Sequence, residues 1–66
     1  MQETFARNMI ARRRSKGLRQ ADLAELLGMK QQQISAIELA RENLTLETIA
    51  RIAHALGTDG PTMLSA

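Results

Sequence analysis

Glutamine carries the chemistry open to this chain. Gln31, Gln32 and Gln33 stand in a row at the head of a helical segment, just after Gly28-Met29-Lys30, and Gln20 opens the segment before it. A primary amide holds a donor and an acceptor side by side. Adenine shows the matching pair on its major-groove edge, so a Gln held there can engage both at once. In isolation a Gln triplet is ordinary polar surface, because Gln is a good helix former. Its place behind a glycine turn, at the start of a second helix, weighs for base reading.

Catalysis finds no support. The chain has no Cys and a single histidine, His54, so neither a nucleophile–base set nor a thiolate metal site is available. Its carboxylates are scattered, no glycine-rich phosphate loop occurs, and no cofactor is called for. His54 is expected to be a solvated helix residue. Sixty-six residues form one small domain, which buries only ~60% of its unfolded surface. Without a disulfide or a metal, stability must come from helix packing or a partner subunit. Phe5 is the only aromatic residue, so the core must be Leu, Ile, Ala and Met.

Helical periodicity runs through the chain, and no segment alternates as a strand does. The first helix is expected over about residues 3–16, with Phe5, Met9 and Ile10 inward and Gly17 as its stop. The second covers about 20–27, with Leu23, Ala24 and Leu27 on one face and Gly28 as the turn. The third runs from 31 to 39 or 40. Ile34 and Ile37 face inward, Gln32, Ser35, Ala36 and Leu39 outward, and Gln31 and Gln33 lie on the flanks. Thr45 reads as the N-cap of the fourth helix, with Leu44 and Ile49 as a hydrophobic staple and Gly57 closing it. Pro61 can open a fifth turn holding Met63 and Leu64. A short helix, a glycine turn and a second helix make the layout of a helix-turn-helix, whose second helix lies in the major groove.

The formal net charge of +2 decides nothing. Its distribution says more. Residues 1–20 hold Arg7, Arg12, Arg13, Arg14, Lys16 and Arg19 against Glu3 alone, while six acidic residues face three basic ones in the remainder. The basic end is suited to a polyanion, or is a solvated helix face. The N-terminus lacks the apolar stretch of a signal peptide, and no apolar run approaches a membrane span. A cytoplasmic protein with no membrane partner is expected.

The pattern resembles the lambda-repressor-like (phage Cro/repressor, Xre-type) helix-turn-helix family. The matching residues are FARNM at 5–9, Arg13, KGLRQADLAELLGM at 16–29, QQQISAIE at 31–38 and NLTLETIARIAHALG at 43–57. The resemblance implies an all-α fold of five helices, with the helix-turn-helix at helices 2 and 3. It spans the single domain 1–66, with a core at about 5–57 and a short tail or fifth helix at 58–66. It also implies a two-fold dimer that binds operator DNA and regulates transcription. By resemblance, Gln20 touches backbone phosphate and braces the recognition helix, and Arg13 and Glu38 form a structural ion pair between the first and third helices. The DNA-binding set is Gln20, Lys30, Gln31, Gln32, Gln33, Ser35, Ala36, Arg41 and Asn43.

The chain departs from the family at several positions. Arg19 and Lys30 replace the usual capping residues before the second and third helices. Each lost cap should cost ~1 kcal/mol, with phosphate contacts as the compensating gain. Ala40 stands where the family favours Gly, so that helix is expected to end differently. Leu44 replaces a common Pro. Leu39 puts an apolar side chain on the outward face.

These observations lead to a sequence-specific regulator of transcription, a repressor, bound as a homodimer to a palindromic operator in double-stranded DNA through residues 31–39. Leu56, Thr58, Met63 and Leu64 are expected at the dimer contact. For Met63 and Leu64, capping the monomer core is the open alternative. A phage or plasmid repressor, a restriction-modification controller and the DNA-binding partner of a toxin all fit. Asn43-Leu44-Thr45 is reminiscent of the controllers. The rival reading is an antitoxin-like or bridging module whose main partner is a second protein, such as a toxin.

Overall fold

The computed structural model describes residues 2–66. Five helices follow in order: α1 (Gln2–Ser15), α2 (Gln20–Leu27), α3 (Gln31–Glu38), α4 (Leu46–Ala55) and α5 (Gly60–Met63). Among the described residues there is no strand. All five helices bury side chains in one core of Phe5, Met9, Leu23, Ala24, Leu27, Ile34, Ile37, Ile49, Ile52, Ala53, Leu56 and Met63. Each fully buried Leu, Ile, Phe or Met adds roughly 1.5–3 kcal/mol. That contribution is what a chain without a disulfide depends on. Ile10, expected inward, is only half-buried and is not part of that core.

The first four helices end alike. After α1, α2, α3 and α4 the chain turns left-handed at Gly17, Gly28, Ala40 and Gly57. After α2, Met29 N–H donates to the Ala24 carbonyl at 2.9 Å and Gly28 N–H to that of Glu25 at 3.2 Å. Those two bonds satisfy carbonyls that the helix end leaves open. After α3, Arg41 N–H donates to Ala36 at 2.9 Å and Ala40 N–H to Ile37 at 3.0 Å. So α3 does not end differently for want of a glycine. It ends at Glu38, and Ala40 adopts φ +57°, a conformation costing an L-residue roughly 1–2 kcal/mol.

The missing caps of α2 and α3 are replaced from the third helical position. Asp22 Oδ2 accepts from Arg19 N–H at 2.8 Å, and Gln33 Oε1 accepts from Lys30 N–H at 3.0 Å. Each bond is one half of a capping box. Thr45 caps α4, its Oγ1 accepting from Thr48 N–H at 3.1 Å, and Leu44 packs against the core that contains Ile49. The tail is pinned at two points. Asp59 Oδ1 accepts from Thr62 N–H at 2.8 Å, and Asn8 Nδ2 donates to the carbonyls of Met63 and Ser65, both at 2.8 Å.

Candidate nucleic-acid interface

The side of α3 that carries Ile34 and Ile37 is buried, which turns the rest of the helix outward. Gln31 and Gln32 are exposed, while Ser35 and Ala36 are partly so. Gln31, Gln32 and Ser35 line one shallow recess together with Gln20, which α2 places beside them. Three amides and a hydroxyl, all uncharged, face outward there. Such groups can match the donors and acceptors of base edges.

Beneath the recess lies a buried polar network. Arg13 Nε donates to Glu38 Oε2 at 2.6 Å and Arg13 Nη2 to Glu38 Oε1 at 3.1 Å. Arg13 Nη1 also donates to the Leu18 carbonyl at 2.8 Å, which ties the α1–α2 turn to the pair. Gln20 Nε2 donates to Glu38 Oε1 at 2.9 Å. Arg13 on α1, Gln20 on α2 and Glu38 on α3 thus tie these three helices together. No buried side-chain nitrogen or oxygen among the described residues lacks a partner.

Other expected site residues stand apart from the recess. Gln33 is exposed, but its side chain completes the first turn of α3 by bonding Lys30 N–H. Asn43 Oδ1 accepts from Gln2 Nε2 at 2.9 Å, and the same nitrogen donates to the Glu42 carbonyl at 2.6 Å. The start of α1 therefore holds the α3–α4 loop. Lys30 and Arg41 are exposed cations at the two ends of α3. Of the four residues assigned to a dimer contact, Leu56 and Met63 are 1% and 0% exposed, inside the monomer core. Their place is corrected accordingly: α5 packs against both α1 and α4, and both side chains lie in the core. Thr58 and Leu64 keep partial exposure.

Sequence reasoning gave no role to Gln2, Asn8 or Arg51. Arg51 Nη2 donates to the Leu27 carbonyl at 2.5 Å, closing the end of α2 just before the turn into α3. These contacts join residues 24 to 57 positions apart in the chain, and no local pattern announces them. Arg19 is the exposed N-cap residue of α2. Its guanidinium pairs with Asp22, Nε–Oδ2 at 3.1 Å and Nη2–Oδ1 at 3.0 Å, and this bonding holds the Asp22 carboxyl below the usual carboxylate range.

Residues 9–61 match the model of the helix-turn-helix family HTH_3. The chain belongs to this family. It is a DNA-binding helix-turn-helix regulator of transcription, of the lambda-repressor-like, Xre type. Among curated proteins it is similar to control protein C.SmaI of Serratia marcescens, 34% identical over 98% of this chain and 77% of that protein. Among solved structures it is similar to hypothetical transcription factor NHTF from Neisseria. There the TM-score is 0.92 and the identity 34%, over 97% of this chain and 74% of that one. A hydroxypropylphosphonic acid epoxidase from S. wedmorenis shares the fold at TM-score 0.86 and 35% identity, over 92% of this chain. This chain spans only 32% of the epoxidase, so the likeness concerns that segment alone. No helix of the described residues is long and apolar enough to cross a membrane.

Proposed function

We propose that this regulator is a repressor that binds a palindromic operator as a homodimer, with residues 31–39 in the major groove. The observation that carries the reading is the recess in which Gln31, Gln32 and Ser35 stand open beside Gln20, over a buried Ile34–Ile37 face. Gln31 and Gln32 read bases, and Ser35 and Ala36 shape the next position. Lys30, Arg41 and Asn43 lie at the ends of α3 and in the following loop, where contacts to phosphate set affinity and register. Gln33 serves the interface by fixing the first turn of α3.

A dimer follows from information content. One helix with three or four reading residues specifies too few base pairs for a genome, and two half-sites about one helical turn apart supply the rest. Thr58 and Leu64 are the accessible members of the tail contact. Likeness to a control protein over nearly the whole chain supports the controller among the contexts raised above. The rival reading, a module that holds a second protein such as a toxin, draws on Leu39, 58% exposed at the end of α3.

Selection of bound duplexes from a random library tests the proposal. An operator with two-fold symmetry is the expected product, and recovery of no preferred sequence rejects it. Binding to random duplex should also fall steeply with salt, whereas a pure interaction module binds duplex little at any salt.

A further inference from the structure

Leu26 is 63% exposed near the end of α2 and divides two recesses. Leu18, Asp22 and Glu25 share the first with it, and Arg51, His54 and Ala55 share the second. α4 packs against α2, so both walls belong to one face. The first wall is apolar and acidic, the second apolar and basic. Both keep polar groups open. Arg19 holds Asp22, but Glu25 makes no hydrogen bond or ion pair among the described residues. Arg51 gives one Nη2 bond to the Leu27 carbonyl, which leaves its other guanidinium N–H groups available. His54 has no partner among the described residues either.

We propose that this α2–α4 face is a self-complementary contact at which a second copy of the chain docks. Charge layout selects the occupant. At a two-fold contact the same patch meets itself, so residue i faces j and j faces i. A patch of one sign repels its own copy. Here Leu26 separates an acidic wall from a basic one. With the axis at Leu26, Glu25 of each copy faces Arg51 and His54 of the other, and the two leucines meet between them. The face shares no residue with the tail contact of Thr58 and Leu64. Two distinct two-fold contacts on one chain extend an assembly beyond the dimer. The apolar area is small, so the contact forms at high protein concentration or between copies already held close.

The test uses the full chain without DNA, so its outcome is independent of operator reading. Backbone amide shifts are followed by NMR across a protein dilution series. In the wild type, shifts at Glu25, Leu26 and His54 are expected to move with concentration, and to move less in high salt. Glu25→Arg opposes two cationic walls, and His54→Glu opposes two acidic ones. One exposed pair contributes little, but each substitution acts twice per contact, so self-association should weaken by about tenfold in either variant. A one-to-one mixture of the two variants should associate to within about threefold of the wild type, because the new charge of one meets that of the other. A stabilising role inside a single chain predicts no such rescue. Circular dichroism checks that both variants keep the fold. Wild-type shifts at this face that ignore concentration overturn the proposal and leave the face to a different protein. Movement confined to Thr58 and Leu64 reports the tail contact alone and overturns it too. So does a mixture that associates no better than its separate variants.

Discussion

The Arg13 guanidinium lies edge to edge with the Glu38 carboxylate, Nε–Oε2 at 2.6 Å and Nη2–Oε1 at 3.1 Å, in a site where the two side chains are 9% and 4% exposed. Two parallel charge-assisted bonds fix direction as well as distance. Attraction within such a pair is largely offset by the cost of taking both charges out of water. Breaking it from one side is a different matter, since it strands the survivor.

Glu38→Ala is therefore expected to lower stability by about 3–5 kcal/mol. Thermal melting followed by circular dichroism checks this. A drop of only a degree or two shows that water reaches Arg13 and that the pair contributes little.

Gln32→Ala is expected to leave the melting curve unchanged, because the side chain is exposed on α3 and makes no hydrogen bond among the described residues. Its effect belongs to the operator. A bidentate Gln–adenine pair carries ~1–3 kcal/mol of discrimination, so base preference should relax at one position per half-site. Equal loss of affinity for operator and random duplex shows instead that Gln32 merely positions the protein.

Ala40→Gly is expected to stabilise the chain by about 1 kcal/mol. Ala40 sits at φ +57°, closing α3 with the hydrogen bonds that a glycine provides after α1, α2 and α4. Glycine reaches that conformation without the steric cost of Cβ, though it adds freedom to the unfolded chain. Chemical denaturation measures the difference. An unchanged or lowered midpoint shows that the added freedom outweighs the relieved contact.

The helices were legible in the sequence because their signals are local. Periodic apolar residues placed α1 to α4, and Thr45, Leu44 and Ile49 announced the start of α4. At Ala40 a local rule failed. The two carbonyls at the end of α3 need satisfying, and that need outweighs the preference for glycine. The accessibility of Gln31, Gln32 and Ser35 followed from the helical period. The part played by Gln33 was open to a local rule, since its place at the third helical position is where a capping box puts Glu or Gln. The burial of Leu56 and Met63 was not legible. It depends on Asn8 drawing the tail onto α1 across more than fifty residues of chain.

Acid should loosen α5. Bonding to Thr62, with Arg12 nearby, holds the Asp59 carboxyl below its ordinary value of 3.8. A group depressed in the folded state stabilises above its unfolded value and loses that contribution as pH falls through the folded one. The loss sets in below about pH 5. There the protection of the Thr62 amide against exchange, taken relative to its intrinsic rate, should fall. Asp59→Asn keeps a competent cap and removes the titration. Identical acid behaviour in that variant rules out Asp59 as the source.

The tail offers a contrast between two neighbouring residues. Met63 is 0% exposed within the core, whereas Leu64 is partly exposed at its edge. Met63→Ala should cost about 2–5 kcal/mol, since it leaves a cavity among packed side chains. Leu64→Glu should cost the monomer little and act on assembly. At a two-fold contact each subunit presents the same patch, so one substitution places two like charges together. A short tail covers little area, and the dimer in solution is expected to be weak. Operator DNA is expected to strengthen it by holding two copies side by side. Sedimentation of protein with operator duplex is the measurement. Two wild-type chains per duplex are expected, and one per duplex for Leu64→Glu at concentrations where its fold is intact. A full two-to-one complex with Leu64→Glu moves the contact away from the tail. A wild type that binds strictly one per duplex removes the dimer altogether and shifts weight to the reading in which a second protein is the main partner.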